Sequence, residues 1–298
     1  MSKRTYISFD WAMKKLLRQK ANFGILEGFL SELLRKDIKV NQIIESQSNK
    51  KDDEDKYNHV DLLCENSEKE IILIELQFYS EIDYFQRILF GFSKVITEHI
   101  KESDTYEMVK KVYSINILYF DLGQGTDYVY HGHTIFRGIH NDDLLKLSIK
   151  QSERFNKTVP EEIYPEIYLL KVNNFNDVAK DTLDEWVYFL KNSELPKNYK
   201  AKGLEEVDKK LKYEQMDKSA KLNYDAYNKH LMVSKSMIET AKFEGERIGR
   251  QEGRQEGRQE SIKITVLALY QDGFKPLQIA KYVQLTEEEV VKMIENNN

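Results

Sequence analysis

Between Phe23 and Lys36 the apolar residues Phe23, Leu26, Leu30, Leu33 and Leu34 recur at intervals of three and four, which predicts a helix with one buried stripe. Glu27 lies at the edge of that stripe. Upstream, DWAMKKLL predicts a helix with Asp10 as its N-cap, because a carboxylate there accepts orphan backbone N–H groups. Residues 49–58, NKKDDEDKYN, are charged or polar without periodicity and predict a solvated loop. The pattern then changes. His59 to Cys64 and Ile71 to Phe78 read as strands joined by the turn ENSEKE, an antiparallel hairpin. A helix from about Ile82 to Ile100 follows, carrying Phe85, Ile88, Leu89, Phe92 and Ile96 on one side, and Val112 to Phe120 reads as a third strand. Beyond it the pattern weakens to strands around Tyr128 to Phe136 and Ile163 to Val172 and a helix near Asp181 to Lys191.

From Leu204 to about Arg247 the chain reads as long helix, running into the period-four repeat EGERIGRQEGRQEGRQE. Each Gly in a helix costs about 1 kcal/mol relative to Ala. Gly245, Gly249, Gly253 and Gly257 therefore ask for an offset of about 4 kcal/mol in total. Close approach of a partner chain along the glycine ridge supplies one, and a hydrophilic linker is the alternative. The tail from Ser261 predicts three short helices broken at Gly273 and at Leu285-Thr286, with Thr286 and Glu289 as a capping box. Its rhythm is that of a helix-turn-helix, but Glu287, Glu288 and Glu289 would face DNA phosphates, so a protein-interaction or dimerisation module fits better. The organisation read from these patterns is residues 1–200 as one domain, 201–260 as a helical and Gly-repeat connector, and 261–298 as a small helical module.

At 298 residues and 41% hydrophobic content the chain can bury at least one full core. A single cysteine, Cys64, excludes an intrachain disulfide and fits a reducing compartment. No stretch has the roughly 18 apolar residues of a membrane span, and MSKRTYISFDW lacks a signal peptide's apolar core, so a cytoplasmic protein is expected. The net charge of −5 argues against a protein that coats nucleic acid. It is unevenly spread: residues 1–40 carry net +5 and residues 41–140 net −8, which puts any phosphate-facing surface near the start.

The chemistry concentrates in the hairpin. In IILIELQF, period two places Ile71, Leu73, Glu75 and Gln77 on one strand face, and both faces begin apolar, so Glu75 is a carboxylate set where desolvation is costly. A turn over residues 65–70 pairs positions whose numbers sum to 135 or 136, setting Asp61 opposite Ile74 or Glu75. Like charges directly opposite destabilise a sheet. A cation between them removes the conflict, and hard oxygen ligands suit Mg2+ or Mn2+. The other reading is a pair of polar residues at sheet ends held by local hydrogen bonds. His131 and His133 share a face if Tyr128 to Phe136 is a strand, but no Cys or third His lies nearby, and surface or structural roles are expected.

Asp61 followed by Glu75-Leu76-Gln77 resembles the D…(D/E)xK signature of the PD-(D/E)XK nuclease superfamily, with Gln where Lys is usual. FDWAMKKLL, ILEGFLSELL, VDLLCEN, IILIELQ and DYFQRILFGFSKVI together resemble the Rpn family of recombination-promoting nucleases, whose members are also described as transposases. The likeness is good over residues 8–120 and weaker to about 195. It implies an α/β (α+β), restriction-endonuclease-like mixed sheet flanked by helices, followed by a long helical C-terminal region. It also implies a Mg2+-dependent DNA endonuclease, with Asp61 and Glu75 on the metal and Gln77 orienting the attacking water or a phosphate oxygen. Gln is neutral and leaves a positive charge to be found, for which Arg87 and Lys14 are the candidates as phosphate contacts. Arg87 can equally pair with Glu81 or Asp83. Glu27 is a candidate helix-borne acid of the site or a solvated carboxylate. The partners expected are DNA and a second copy through the C-terminal helices, with no membrane. The opposing hypothesis is a non-catalytic oligomeric adaptor that keeps the fold.

Overall fold

The computed structural model describes residues 5–44, 61–100 and 103–296. The expected loop at 49–58 and the first two residues of the expected strand at 59–64 lie outside them. The elements run α1 (Phe9–Lys15), α2 (Phe23–Leu34), β1 (Val40–Ile43), β2 (Leu62–Asn66), β3 (Ile71–Gln77), α3 (Tyr84–Glu98), β4 (Val112–Leu118), β5 (Val129–Gly132), α4 (Ile149–Phe155), β6 (Glu166–Lys171), α5 (Thr182–Asn192) and α6 (Leu204–Lys210), then α7 (Lys218–Gln271), α8 (Pro276–Val283) and α9 (Glu287–Glu295). The sheet is mixed, in the order β1-β2-β3-β4-β6-β5. β2 and β3 form the expected antiparallel hairpin, whereas β3, β4 and β6 run parallel. Parallel neighbours need a crossover, and α3 is the one between β3 and β4.

β1 has no counterpart in the hydrophobic pattern, because VNQI buries only its first residue and shows no alternation. β3 is buried on both faces over its aliphatic start, Ile71 to Ile74, and β4 along its whole length, where Ser114 and Asn116 lie buried among apolar neighbours. Over one face lie Phe9 of α1, Phe29 of α2 and Trp186 and Phe189 of α5, with centroids 5.4–6.5 Å apart and meeting edge to face except for the tilted Phe29–Trp186 pair. α2 approaches the residues before α6 so closely that a Cβ on Gly28 would stand 2.3 Å from the Lys202 carbonyl oxygen. The other face carries Ile71 and Leu73 against Val95 of α3, with Tyr84 and Ile88 over Leu118.

α3 is rotated from the expected stripe. Tyr84, Ile88 and Val95 are buried, while Phe85 and Leu89 are 52% and 57% exposed. This rotation brings Gly91 against Glu75, so that a Cβ at Gly91 would lie 3.8 Å from the carboxylate oxygen Oε1. A second difference lies at α1, where Ser8 takes the N-cap position and Asp10 falls in the first turn, buried.

The chain divides into two compact units after Tyr224. The first extends past residue 200 because Leu204, Val207, Leu211 and Tyr224 are buried. The expected continuous helix from Leu204 is broken at Leu211, whose carbonyl accepts from Ile7 N at 2.9 Å, and Tyr6 bridges Lys212. The Tyr224 hydroxyl accepts from Ser8 N at 2.9 Å, and its ring meets Trp11. α7 then continues without interruption through the glycine repeat, and every residue from 235 to 261 is exposed. In the second unit the end of α7 packs with α8 and α9 around Val266, Ile279, Val290 and Ile294. Positive φ at Gly273 and Gln284 makes the breaks that separate these helices. No described helix is long and apolar enough to cross a membrane.

Candidate active site

The hairpin register pairs Leu62 with Ile74 and Leu63 with Leu73. One step further along, Asp61 stands opposite Glu75, the second of the two expected pairings. Three elements hold Asp61. Its Oδ2 accepts from the Leu76 backbone N–H of β3 at 2.7 Å, and its Oδ1 is 3.4 Å from the Lys14 ammonium of α1. Its carbonyl accepts from Arg18 Nη2 at 2.7 Å.

Glu75 is in the opposite condition. It is half-buried on the α3 side of the sheet, and its carboxylate accepts no hydrogen bond from a described residue. Burial pushes its carboxyl up to about 7 from the ordinary 4.5, with the Arg87 charge opposing the rise and the Asp61 and Glu81 charges adding to it. Beside it in the parallel register sits Asn116 of β4, whose amide donates to Ser114 and to the Tyr168 carbonyl and accepts from the Tyr84 hydroxyl at 3.3 Å. The floor of the site is therefore polar but internally satisfied, and it offers Glu75 no donor.

Gln77, two residues on and on the same strand face, donates through Nε2 to the Tyr79 carbonyl at 3.2 Å and to Glu81 Oε1 at 2.6 Å. Arg87 Nη1 donates to both Glu81 oxygens, at 2.8 and 3.0 Å, and its guanidinium lies 5.9 Å from the Tyr84 ring centroid. Of the two partners open to Arg87, Glu81 is the one the structure selects.

Glu27 is not brought here. Its oxygens accept from Val40 N at 3.0 Å and pair with Lys39 at 3.1 Å. Val40 pairs with Asn66, at the far end of β2 from Asp61 and roughly 17 Å away along the strand. The stripe of α2 identifies a helix-edge carboxylate but not which end of the sheet it meets. Arg18 escapes the sequence reading, and Glu81 enters it only as a possible partner of Arg87, not of Gln77. Arg18 follows Lys14 by four, a spacing that could mark a shared helix face, and Glu81 follows Gln77 by four in a turn whose path no periodicity reveals. His131 and His133 each face a glutamate, Glu166 at 2.8 Å and Glu161 at 3.5 Å.

Among the described residues no three His, Cys, Asp or Glu side chains gather into a metal-holding group. The donor set at Asp61 and Glu75 nevertheless fits a hard divalent ion: the two carboxylates lie close enough for the Asp61 charge to be felt at Glu75, and Glu75 is half-desolvated without a donor. Water and phosphate oxygens would complete such a shell.

A family model described as PD-(D/E)XK nuclease family transposase matches residues 7–241, well over half of the chain. No curated protein and no solved structure matches it.

Proposed function

The chain belongs to the PD-(D/E)XK nuclease family transposases, and from that premise we propose that it is a metal-dependent deoxyribonuclease acting in the cytoplasm on phosphodiester bonds. The observation that carries this reading is the Glu75 carboxylate, set opposite Asp61 and left without a hydrogen-bond donor. Retaining such a group costs stability, and a bound cation offsets that cost.

Asp61 and Glu75 would hold the ion, Mg2+ or Mn2+. When bound, it favours ionisation of an attacking water and neutralises charge gathering on the phosphate. The Leu76 amide, Lys14 and Arg18 keep Asp61 aimed. Gln77 orients the water, and Lys14 and Arg87 supply the positive charge that Gln77 lacks. In the hydrolysis, the water oxygen bonds to phosphorus, the bond from phosphorus to the leaving sugar oxygen breaks, and that oxygen takes up a proton. The C-terminal helices assemble copies of the chain, since residues 235–261 of α7 are exposed and its four repeat glycines face open space. Recombination, movement of mobile elements and defence against foreign DNA are the settings this activity suits.

The test is plasmid cleavage with Mg2+ by the natural chain and by Glu75→Ala. Cutting by the first and none by the second is expected. Equal cutting by both, or none by either across metals and DNA ends, removes the enzyme reading and leaves an adaptor working through its helical tail. Light-scattering mass of the intact chain tests assembly, with more than one chain per particle expected.

A further inference from the structure

Glu81 lies in the turn between β3 and α3 and touches neither Asp61 nor Glu75 by hydrogen bond, yet it determines what Gln77 can do. Two groups surround the Gln77 amide nitrogen: the Tyr79 carbonyl and the Glu81 carboxylate. Both are acceptors only. Turned over, the amide would set its oxygen against two other oxygens, so its orientation follows from its partners rather than from a choice of assignment. Glu81 is itself fixed, because Arg87 donates to both of its oxygens. What Gln77 has left is its amide oxygen, which accepts no hydrogen bond from a described residue.

We propose that Glu81 is a positioning residue for the hydrolysis, holding Gln77 so that an acceptor, not a donor, is offered on the strand face it shares with Glu75. This rests on the nuclease reading above. An acceptor there takes an O–H of the attacking water and turns the water's lone pair toward phosphorus. The Lys usual at this position is a donor only, so Gln77 is not a weakened Lys but a group of opposite hydrogen-bonding character. Lys at position 77 would pair with Glu81 and leave no acceptor to orient the water's O–H.

The experiment is steady-state cleavage of supercoiled DNA with Mg2+ by the full chain and its Glu81→Ala, Glu81→Gln, Gln77→Lys and Glu75→Ala variants. Melting in EDTA checks that each folds. Glu81→Ala should lower kcat by about tenfold or more with KM within about twofold. Glu81→Gln should recover most of that loss, because its amide oxygen still accepts from Gln77. Gln77→Lys should cut more slowly than the natural chain. Natural kcat in Glu81→Ala, or Gln77→Lys cutting as fast as the natural chain, overturns the proposal while the nuclease reading stands. If Glu81→Ala does not fold, Gln77→Lys decides alone. Equal cutting by the natural chain and Glu75→Ala brings down the nuclease reading and this proposal with it.

Discussion

Replacing Glu75 by Gln should make the metal-free protein more stable at pH 8 while abolishing cleavage. The ordinary carboxyl value is 4.5, and in the folded chain Glu75 is raised to about 7, chiefly by burial. A group raised on folding binds its proton more tightly in the native state, so stability falls as pH rises from 4.5 through about 7 and the loss is complete above it. At about 1.4 kcal/mol per pH unit, the full gap amounts to about 3 kcal/mol. Partial exposure of the side chain reduces the expected gain to about 1–3 kcal/mol. For a unit of this size that is roughly 3 to 10 °C in melting temperature. The assay is urea or thermal unfolding of both proteins in EDTA from pH 4.5 to 8. Their difference should be near zero at the acid end and grow in the variant's favour through neutrality. Mg2+ added at pH 8 should then raise the natural protein's melting temperature and leave the variant's unchanged. A difference that does not vary with pH, or a variant less stable at pH 8, would refute the reasoning.

Gly28→Ala should cost about 3 kcal/mol or more, read from the urea midpoint, because the new methyl meets backbone atoms of Lys202 and Gly203 that have no side-chain freedom to yield. Glu27→Gln should keep kcat within about twofold of the natural chain, because the residue caps the start of β1 rather than facing Asp61; a loss as deep as that of Glu75→Ala would return Glu27 to the site.

The hairpin and two possible registers for Asp61, opposite Ile74 or Glu75, are legible in the amino-acid sequence because turn length limits register and strand period sets the face, and the structure selects between them. Arg87 is legible as a nearby cation, but its attachment is not: Glu81 and Asp83 are equally open to it in sequence, and the turn's path decides between them. The rotation of α3 is hidden for a related reason. Phe85 and Leu89 are as apolar as Ile88, and only docking on the sheet, through Tyr84, Ile88 and Val95, distinguishes the stripe the helix buries. Arg18 reaches Asp61 across 43 residues, and Glu27 is held away by Val40 and Lys39, both consequences of how α1 and α2 dock rather than of local pattern. The glycine repeat illustrates the converse, since its period is conspicuous in sequence and the helix runs through it, yet nothing in the pattern says what offsets the cost of its glycines.

The seal that residues 211–224 place over the first strand-like residues of the chain has a consequence for biosynthesis. α1, which carries Lys14 and leads into Arg18, is secured by Leu211, Lys212 and Tyr224, the last parts of the first unit to leave the ribosome. A nascent chain that has already emitted the hairpin thus lacks the clamp on Asp61 until some 150 further residues have emerged. At about 5–20 residues per second that is a delay of roughly 10–30 seconds. The candidate site thus gains its Lys14 and Arg18 contacts only once the whole first unit, through Tyr224, has been made.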